Sequence, residues 1–163
     1  MENATIEDIK KQFADSVLSS QFFRGEKTII VKRERVFEIA KYLKDVLEFD
    51  FLMDLTAVDH YPEKPRFEVV YNFYSFPRNE RIRMKSAVDE TNCVASSLSG
   101  LWHSANWLER EVYDMFGIKF TDHPDLRRIL MYDTFEGYPL RKDYPLKKRQ
   151  PRIKLRNDET QKY

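Results

Sequence analysis

Residues 67–88, FEVVYNFYSFPRNERIRMKSAV, contain two stretches in which apolar and polar side chains alternate. The apolar positions of one parity are Phe67, Val69, Tyr71 and Phe73 in the first stretch, and Ile82, Met84 and Val88 in the second. A period of two is typical of a strand with one buried face. Turn residues at 77–80 separate the stretches, and residues 62–65 separate them from a third apolar stretch, residues 51–61. The pattern therefore predicts an antiparallel meander of three strands.

Two helices and one strand are predicted before the meander. Apolar residues at helical spacing predict helices over residues 5–18, with Thr5 as N-cap, and over about residues 35–47. A short strand at residues 28–32 follows the turn signal Arg24-Gly25-Glu26. This order of elements predicts a two-layer α+β domain, in which helices pack on one face of a mixed β-sheet.

A third helix is predicted between Ser104, a good N-cap residue, and Gly117, a good residue for ending a helix. Its buried stripe would be Ala105, Leu108, Val112 and Met115. A different face would carry Trp107, Arg110, Glu111 and Asp114. One interpretation is a solvated face with an ion pair between Arg110 and Asp114, which are i, i+4 neighbours. The other is a protein interface, where Trp and Arg are enriched.

The residues after this helix lack a regular period, although apolar and aromatic side chains are frequent in them. A connection without secondary structure longer than about 12–15 residues is usually functional or disordered. Side chains such as Leu126, Ile129 and Tyr138 require burial, which argues against disorder. We therefore predict a core domain, residues 1–117, and an extended, partner-binding C-terminal arm, residues 118–163. The arm would lie on its own domain or against another protein.

Composition narrows the class of protein. The chain has 163 residues, 34% of them charged, but its formal net charge is only +1. The main part of the domain is therefore not a general polyanion binder. The single Cys93 cannot form an internal disulfide, which points to a reducing compartment. The sequence has neither a signal-peptide pattern nor an apolar run of the roughly 18 residues that span a bilayer. We expect a cytoplasmic soluble domain that reaches a membrane only through partners.

Residues that bind cofactors or perform catalysis are sparse. Iron–sulfur ligation requires several cysteines, and the three histidines lack the spacing of metal ligands. No glycine-rich nucleotide motif is present. Asp59-His60 could form a catalytic dyad, but polar residues at strand ends are common. Glu109 and Glu111, two positions apart on a helix, point to different faces. We expect no catalytic residue, cofactor or metal in this chain.

A long motif lies in residues 107–146. It comprises Glu109-Arg110-Glu111 and Asp114 in the helix, the block HPDLRRIL at residues 123–130, and the block FEGYPLRKDYPL at residues 135–146. These residues resemble the signature of the 30-kDa subunit, the C-type subunit of bacteria, of proton-pumping NADH:quinone oxidoreductase (respiratory complex I). The body agrees more loosely, through its element order and the stretch DLTAVD at residues 54–59. A motif of some forty residues is far more specific than a lone glycine fingerprint.

The resemblance implies a non-catalytic scaffold and assembly subunit near the quinone-reducing module. The expected partners are the 49-kDa-type subunit (the D type of bacteria) and the iron–sulfur subunits of the B and I types. FMN and the iron–sulfur clusters would lie in other subunits, and quinone would be involved only indirectly. The implied location is peripheral, on the cytoplasmic side of the bacterial inner membrane. The residues expected at the partner interface are Trp107, Glu109, Arg110, Glu111, Asp114, His123, Asp125, Arg127, Arg128, Arg141, Lys142 and Asp143.

Two alternatives remain open on the sequence. Homologous scaffold subunits also occur in membrane-bound hydrogenases and formate hydrogenlyase. A different class is a nucleic-acid-binding domain, because the aromatic residues of the arm (Tyr132, Phe135, Tyr138 and Tyr144) are interleaved with Arg127, Arg128, Arg141 and Lys142. A nucleic-acid-binding domain should show salt-sensitive binding, whereas the scaffold subunit should copurify stably with redox subunits.

Overall fold

Seven strands and three helices build the described part of the chain. A computed structural model describes residues 4–147 and 149–150. The elements, in chain order, are α1 (Ala4–Gln12), β1 (Val17–Phe23), β2 (Glu26–Val31), a 3₁₀ turn (Arg33–Arg35), α2 (Val36–Asp45), β3 (Phe51–Asp59), β4 (Phe67–Ser75), β5 (Glu80–Val88), β6 (Val94–Ser96), α3 (His103–Phe116) and β7 (Lys119–Thr121).

The main sheet has five strands in the order β1-β2-β5-β4-β3. The pairs β3–β4 and β4–β5 are antiparallel, which confirms the predicted meander. The sheet is mixed because β2 pairs with β5 in parallel. A second, two-stranded parallel sheet joins β6 to β7.

The alternation along the strands decides which face of the sheet is buried. On β4 the inward side chains Phe67, Val69, Tyr71 and Phe73 are fully buried. Ile9 of α1, Leu43 of α2 and Val112 of α3 belong to the same apolar core. Burial of each large apolar side chain contributes roughly 1.5–3 kcal/mol. On β5 the opposite face carries Arg81, Arg83 and Lys85, and Arg83 Nε donates to Asn72 Oδ1 at 3.1 Å. The predicted two-layer α+β fold is confirmed.

The prediction for the first helix is wrong in its second half. The helix α1 ends at Gln12, and the strand β1 begins at Val17 and pairs antiparallel with β2. The spacing of Phe13 and Val17 fits a helix locally, but pairing within the β1–β2 hairpin outweighs that weak preference. Thr5 lies inside α1 instead of at its N-cap, and its hydroxyl donates to Glu80.

The third helix agrees with the prediction except at its start. Trp102 is the N-cap residue of α3, and Ser104 lies within the helix. The Ser104 hydroxyl donates to the Leu52 carbonyl oxygen at 3.3 Å, which ties α3 to β3. At the other end, Gly117 adopts the left-handed conformation, with φ of 76°. Ala105 and Met115 are buried, as the predicted stripe requires.

The first residues of the arm are part of the core. Ile118 and Phe120 are buried among core residues, and β7 pairs with β6. After Thr121, the described residues of the arm contain neither helix nor strand. The division of function at residue 117 stays a prediction. Within the described residues, no helix has the length and apolarity required to cross a membrane.

Candidate functional site

Asp114 of α3 binds a whole turn of the arm. Its carboxylate Oδ2 accepts the backbone N–H groups of Ile129, Leu130 and Met131 at 3.0, 2.8 and 2.8 Å. Its Oδ1 accepts Nη1 of Arg128 at 2.6 Å. The carboxylate is completely buried, and these four donors surround it. The arm therefore wraps around the end of α3 by binding a single buried charge.

Arg128 occupies the other side of this contact. Its guanidinium also donates to the Gly137 carbonyl oxygen at 3.0 Å and lies over the rings of Phe135 and Tyr138. The helical ion pair between Arg110 and Asp114, one of the two interpretations of the sequence, does not form, because Asp114 is buried and pairs with Arg128. Arg110 instead donates to the carbonyl oxygens of Arg127 and Arg128 at 3.1 and 3.2 Å.

A second buried cluster surrounds Arg66, just before β4. The Arg66 side chain is 4% exposed and forms a bidentate pair with Asp59 of β3, at 3.0 and 2.9 Å. Its two terminal nitrogens also bind Asp143 of the arm, at 2.6 and 3.1 Å, and one of them binds Glu90. The Asp59 carboxylate in turn accepts the backbone N–H of Lys142 at 2.8 Å.

Arg141 packs between these two clusters. Its guanidinium lies 5.1 Å from the Phe67 ring centre and 4.6 Å from the Tyr138 ring centre, and its Nε donates to the Phe116 carbonyl oxygen. Gly117 makes this packing possible. A Cβ on residue 117 would lie 2.6 Å from the Tyr138 ring and 2.8 Å from Arg141 Nη2. Glycine is thus required there both by its φ and by the close approach of the arm.

Glu109 is the third buried carboxyl group. It accepts the Leu98 N–H and the Ser97 hydroxyl, both at 2.6 Å. His123 Nε2 lies 4.0 Å from Glu109 Oε2, and both side chains are completely buried. His123 Nδ1 accepts the Asp125 N–H, so its Nε2 carries the proton and donates to the Asn106 carbonyl oxygen. Glu109 and His123 therefore join α3 to the loops on either side of it.

Burial and hydrogen bonding act in opposite directions on the pKa values of these carboxyl groups. For Asp59, burial raises the pKa, but hydrogen bonds from Arg66, Lys142 and Tyr61 outweigh burial and lower the pKa to about 2. For Asp114, burial is likewise outweighed, and the pKa lies below its usual value. For Glu109, burial prevails over the bonds from Ser97 and Leu98 and raises the pKa to about 7. Asp59 and Asp114 are therefore permanent anions at neutral pH, whereas Glu109 is not.

The remaining predicted interface residues are exposed, except for the half-buried Arg110. Trp107 is 65% exposed, Glu111 is also exposed, and Arg110 lies 5.7 Å from the Trp107 ring centre. The Arg127 side chain is 71% exposed and pairs with the exposed Asp125 at 3.0 Å. Leu130, three positions after Arg127, is 57% exposed. We call Trp107, Arg110, Glu111, Arg127 and Leu130 the outer patch. Lys142 is exposed elsewhere on the arm.

Arg66 was not among the predicted site residues, and Asp59 was considered only as a possible dyad with His60. Asp59 shares the parity of the buried residues Leu55 and Ala57, and a charged residue at a core-facing strand position signals a buried partner. No such pattern marked Arg66, because this residue precedes β4 and therefore lies outside the alternating positions of that strand. For Glu109, the signal was its helical spacing from Ala105 and Val112, both buried.

Within the described residues, no group of histidine, cysteine and acidic side chains is arranged to hold a metal ion. Cys93 is half-buried, and burial raises the pKa of its thiol. The buried carboxyl groups of the site are turned toward the arm and the loops beside α3 rather than toward a cleft. Their arrangement fixes the conformation of the arm and sets the position of the outer patch.

Fold and site together define a class of protein: a two-layer α+β domain whose C-terminal arm is anchored by buried carboxylates. Residues 29–150 match the family model described as respiratory-chain NADH dehydrogenase, 30 Kd subunit. The chain belongs to this family, the 30-kDa subunits of respiratory complex I.

Named relatives and solved structures agree with this assignment. The C-type subunit of NADH-quinone oxidoreductase from Geobacter sulfurreducens is 50% identical over 145 residues, which cover 88% of this chain and 90% of that protein. The C-type subunit from a Roseiflexus species is 48% identical over 149 residues, 90% of this chain and 86% of that protein. A solved trypsin-resistant fragment of Nqo5 has 33% identity and a TM-score of 0.67, covering 77% of this chain and all of that fragment.

A second solved structure is similar in fold. It belongs to the membrane-bound sulfane sulfur reductase, an archaeal respiratory membrane complex, and has a TM-score of 0.75. The match covers 87% of this chain and 84% of that one at 20% identity, so the likeness concerns the fold alone.

Proposed function

We propose that this chain is a non-catalytic scaffold subunit in the hydrophilic part of NADH:quinone oxidoreductase. It supports the module that reduces quinone, within a complex that couples electron transfer from NADH to proton translocation. Its partners are the 49-kDa-type subunit and the iron–sulfur subunits of the B and I types. FMN and the iron–sulfur clusters belong to other subunits. The chain lies peripherally on the cytoplasmic side of the inner membrane and reaches the membrane through its partners.

The exposed outer patch is the observation that carries this proposal. Arg110 lies over the Trp107 ring and donates to the Arg127 carbonyl oxygen, and Asp114 binds the backbone of the exposed Leu130, so α3 and the arm present these residues in fixed positions. Aromatic and Arg side chains are typical of interface hot spots. Rigid presentation lowers the entropy lost on binding. The buried residues of the motif support the exposed ones, because Asp114 and Arg128 hold Leu130 and Arg127 in position.

The contacts of the arm disfavour the nucleic-acid alternative. Tyr132 packs edge-on against Phe135, and Phe135 stacks on Tyr144 with ring centres 6.1 Å apart. Arg128 and Arg141 bind groups of their own chain. Neither the rings nor these cations are therefore arranged as an open stacking surface for bases. The basic residues at positions 148, 152, 154, 156 and 162 lie outside the described residues.

The second candidate is the equivalent scaffold subunit of a related membrane-bound complex, such as a hydrogenase or formate hydrogenlyase. The fold shared with the archaeal sulfane sulfur reductase is the observation that favours it. The identities near 50% to C-type subunits of NADH-quinone oxidoreductase favour the quinone-reducing complex. The two candidates differ in the subunits that would copurify.

Affinity purification of the tagged full chain from its native membranes tests the proposal. We expect flavin- and iron–sulfur-containing subunits to copurify, together with NADH:quinone reductase activity. In the same experiment, Trp107→Ala should lower the yield of the complex, whereas Lys11→Ala, at an exposed position of α1, should not. Hydrogenase subunits in place of flavin-containing subunits would support the second candidate. A chain that purifies alone, or with nucleic acid, would contradict both.

A further inference from the structure

The edge strand β1 is unusually open for a strand of a mixed sheet. Its sequence, VLSSQFF, contains no charged residue and no proline. Leu18 is 60% exposed and Phe23 is 58% exposed, and Phe22 is also exposed. Natural edge strands are usually protected by charges, prolines, bulges or a covering element. In β1 only a bulge near Leu18 is present, at the end far from the hairpin turn.

The hairpin geometry shows which backbone groups of β1 are free. Arg24 and Gly25 form the two-residue turn, with φ of 52° and 82°, as a type I′ turn requires. Phe23 and Glu26 therefore form the first hydrogen-bonded pair of β1 and β2, and the pairing alternates from there. Gln21 bonds to Thr28 on β2, whereas the N–H and C=O groups of Ser20 and Phe22 point away from the sheet.

The opposite edge of the sheet is protected. The strand β3 carries a bulge at Met53. Trp102 Nε1 donates to the Asp50 carbonyl oxygen at 3.2 Å, and the Ser104 hydroxyl donates to the Leu52 carbonyl oxygen at 3.3 Å. At the far end of β3, Asp59 binds the arm. Along β1, no described residue donates to or accepts from the outward groups of Ser20 and Phe22. The two edges thus differ in how much of their backbone is left unpaired.

We propose that β1 binds an extended segment of a neighbouring subunit, which adds a sixth strand to the sheet. Only another peptide backbone supplies donors and acceptors at the spacing of the outward groups. The exposed Leu18, Phe22 and Phe23 select a segment with apolar side chains. Arg24, at the hairpin tip, lies over the Phe23 ring and has no carboxylate partner among the described residues, so it fits an acidic side chain at the end of that segment. This inference rests on the proposed subunit role.

Hydrogen exchange, resolved to single amides, tests the proposal on the full chain alone and in the purified complex. In the free chain, the Ser20 and Phe22 amides should exchange fast, while the Gln21 amide is protected by β2. In the complex, exchange at Ser20 and Phe22 should slow by about a hundredfold or more, and Gln21 should change little. Fast exchange of Ser20 and Phe22 in an intact complex would overturn the proposal and leave the subunit role standing. Absence of the wild-type chain from any complex would overturn the subunit role, and with it this inference.

A pair of variants at one position separates the backbone from the side chain. Ser20→Pro removes the outward N–H, and proline is tolerated on an edge strand. Ser20→Ala removes the same hydroxyl but keeps the N–H. We expect Ser20→Ala to assemble like the wild type and Ser20→Pro to bind about tenfold more weakly while the free chain stays folded. Equal assembly of both variants would overturn the proposal. So would self-association of the free chain through β1 that Ser20→Pro abolishes without affecting the complex, because the occupant would then be a second copy.

Discussion

Arg66 and Asp143 lie 77 positions apart in the chain, yet two of their nitrogen–oxygen pairs are only 2.6 and 3.1 Å apart. Since the same guanidinium binds Asp59 of β3, one arginine connects the sheet to the arm. Hydrogen bonds to Asp59 and Asp143 raise the pKa of Arg66 above its usual value, so it stays charged. The arm is therefore held by a fixed cation and not by apolar packing alone.

Asp143→Ala should loosen the end of the arm without unfolding the domain. The Asp143 side chain is 45% exposed, and Arg66 keeps Asp59 and Glu90 as partners. The global free energy of unfolding should therefore change by only about 0–1 kcal/mol. The Lys142 and Tyr144 amides should exchange faster in the free chain. The exposed Asp133→Ala, in the same arm, serves as the control and should leave their exchange unchanged. Unaltered exchange in Asp143→Ala would show that the ion pair does not hold the arm.

Asp114→Ala should be strongly destabilising. It leaves three backbone N–H groups and the Arg128 guanidinium without their acceptor at a buried site. Removing one partner of a buried ion pair costs about 3–5 kcal/mol. Asp125→Ala removes an exposed partner of Arg127 and should cost about 0–1 kcal/mol. Urea unfolding of the isolated chain measures both. Similar costs for the two variants would mean that the arm is not anchored through Asp114.

Arg141→Ala should destabilise the isolated chain, whereas Arg127→Ala should impair assembly without destabilising the chain. Arg141 donates to Phe116 and stacks on two rings, so its loss should lower the free energy of unfolding by about 2 kcal/mol. Arg127 is exposed, so its loss should leave the melting temperature unchanged but reduce the yield of the complex. Melting curves and complex yields of both variants decide this. A destabilised Arg127→Ala chain that assembles normally would contradict the outer patch as an interface.

Most helices and strands of residues 1–117 could be predicted from the sequence, because burial of one face imposes a regular spacing on their apolar residues. The alternation of Phe67, Val69 and Tyr71 required strand β4, and Gly117 correctly marked the end of α3. The strand β1 was not predictable, because VLSSQFF does not alternate and its pairing with β2 is set by the hairpin. Local propensity is a weak prior where tertiary pairing decides.

The candidate site was predictable in its members but not in their roles. The family motif contains both buried anchors, such as Asp114, and exposed residues, such as Arg127, and sequence spacing cannot separate the two groups. The role of Arg66 depends on contacts with Asp59 and Asp143, which come from distant parts of the chain. Only the folded backbone brings these three charges together.

Gly117→Ala should destabilise the chain, and Gly100→Ala should not. A non-glycine residue in the left-handed region costs about 1–2 kcal/mol, and the added Cβ at 117 would collide with the Tyr138 ring. The φ of Gly100 lies outside the left-handed region, and a Cβ added there would have no atom within 4 Å. Its substitution should be neutral or stabilise by about 0.4–1 kcal/mol. Thermal unfolding compares the two variants. A neutral Gly117→Ala would show that the arm can move away from α3 without loss.

Glu109 should make the stability of the chain depend on pH in the range between about 4.5 and about 7. Its pKa rises from the usual 4.5 to about 7 on folding, because burial of the carboxyl group outweighs the hydrogen bonds from Ser97 and Leu98, which lower the pKa. Between these two pH values, the native state retains a proton that the unfolded state has released. The contribution of Glu109 to the free energy of unfolding therefore decreases as pH rises through this range, by roughly 3 kcal/mol in total.

Glu109→Gln isolates this effect, because the amide resembles the protonated carboxyl group and cannot ionise. We expect the variant to match the wild type near pH 4.5 and to exceed it in stability above pH 7. The control Glu111→Gln, at the exposed neighbouring carboxylate, should follow the wild-type curve throughout. The measurement is urea unfolding at several pH values. A constant difference between wild type and Glu109→Gln across the range would mean that Glu109 does not take up a proton on folding. Because His123 lies 4.0 Å from Glu109, the same comparison in a His123→Gln background separates the carboxyl group from the imidazole. A pH slope that persists there belongs to Glu109 itself.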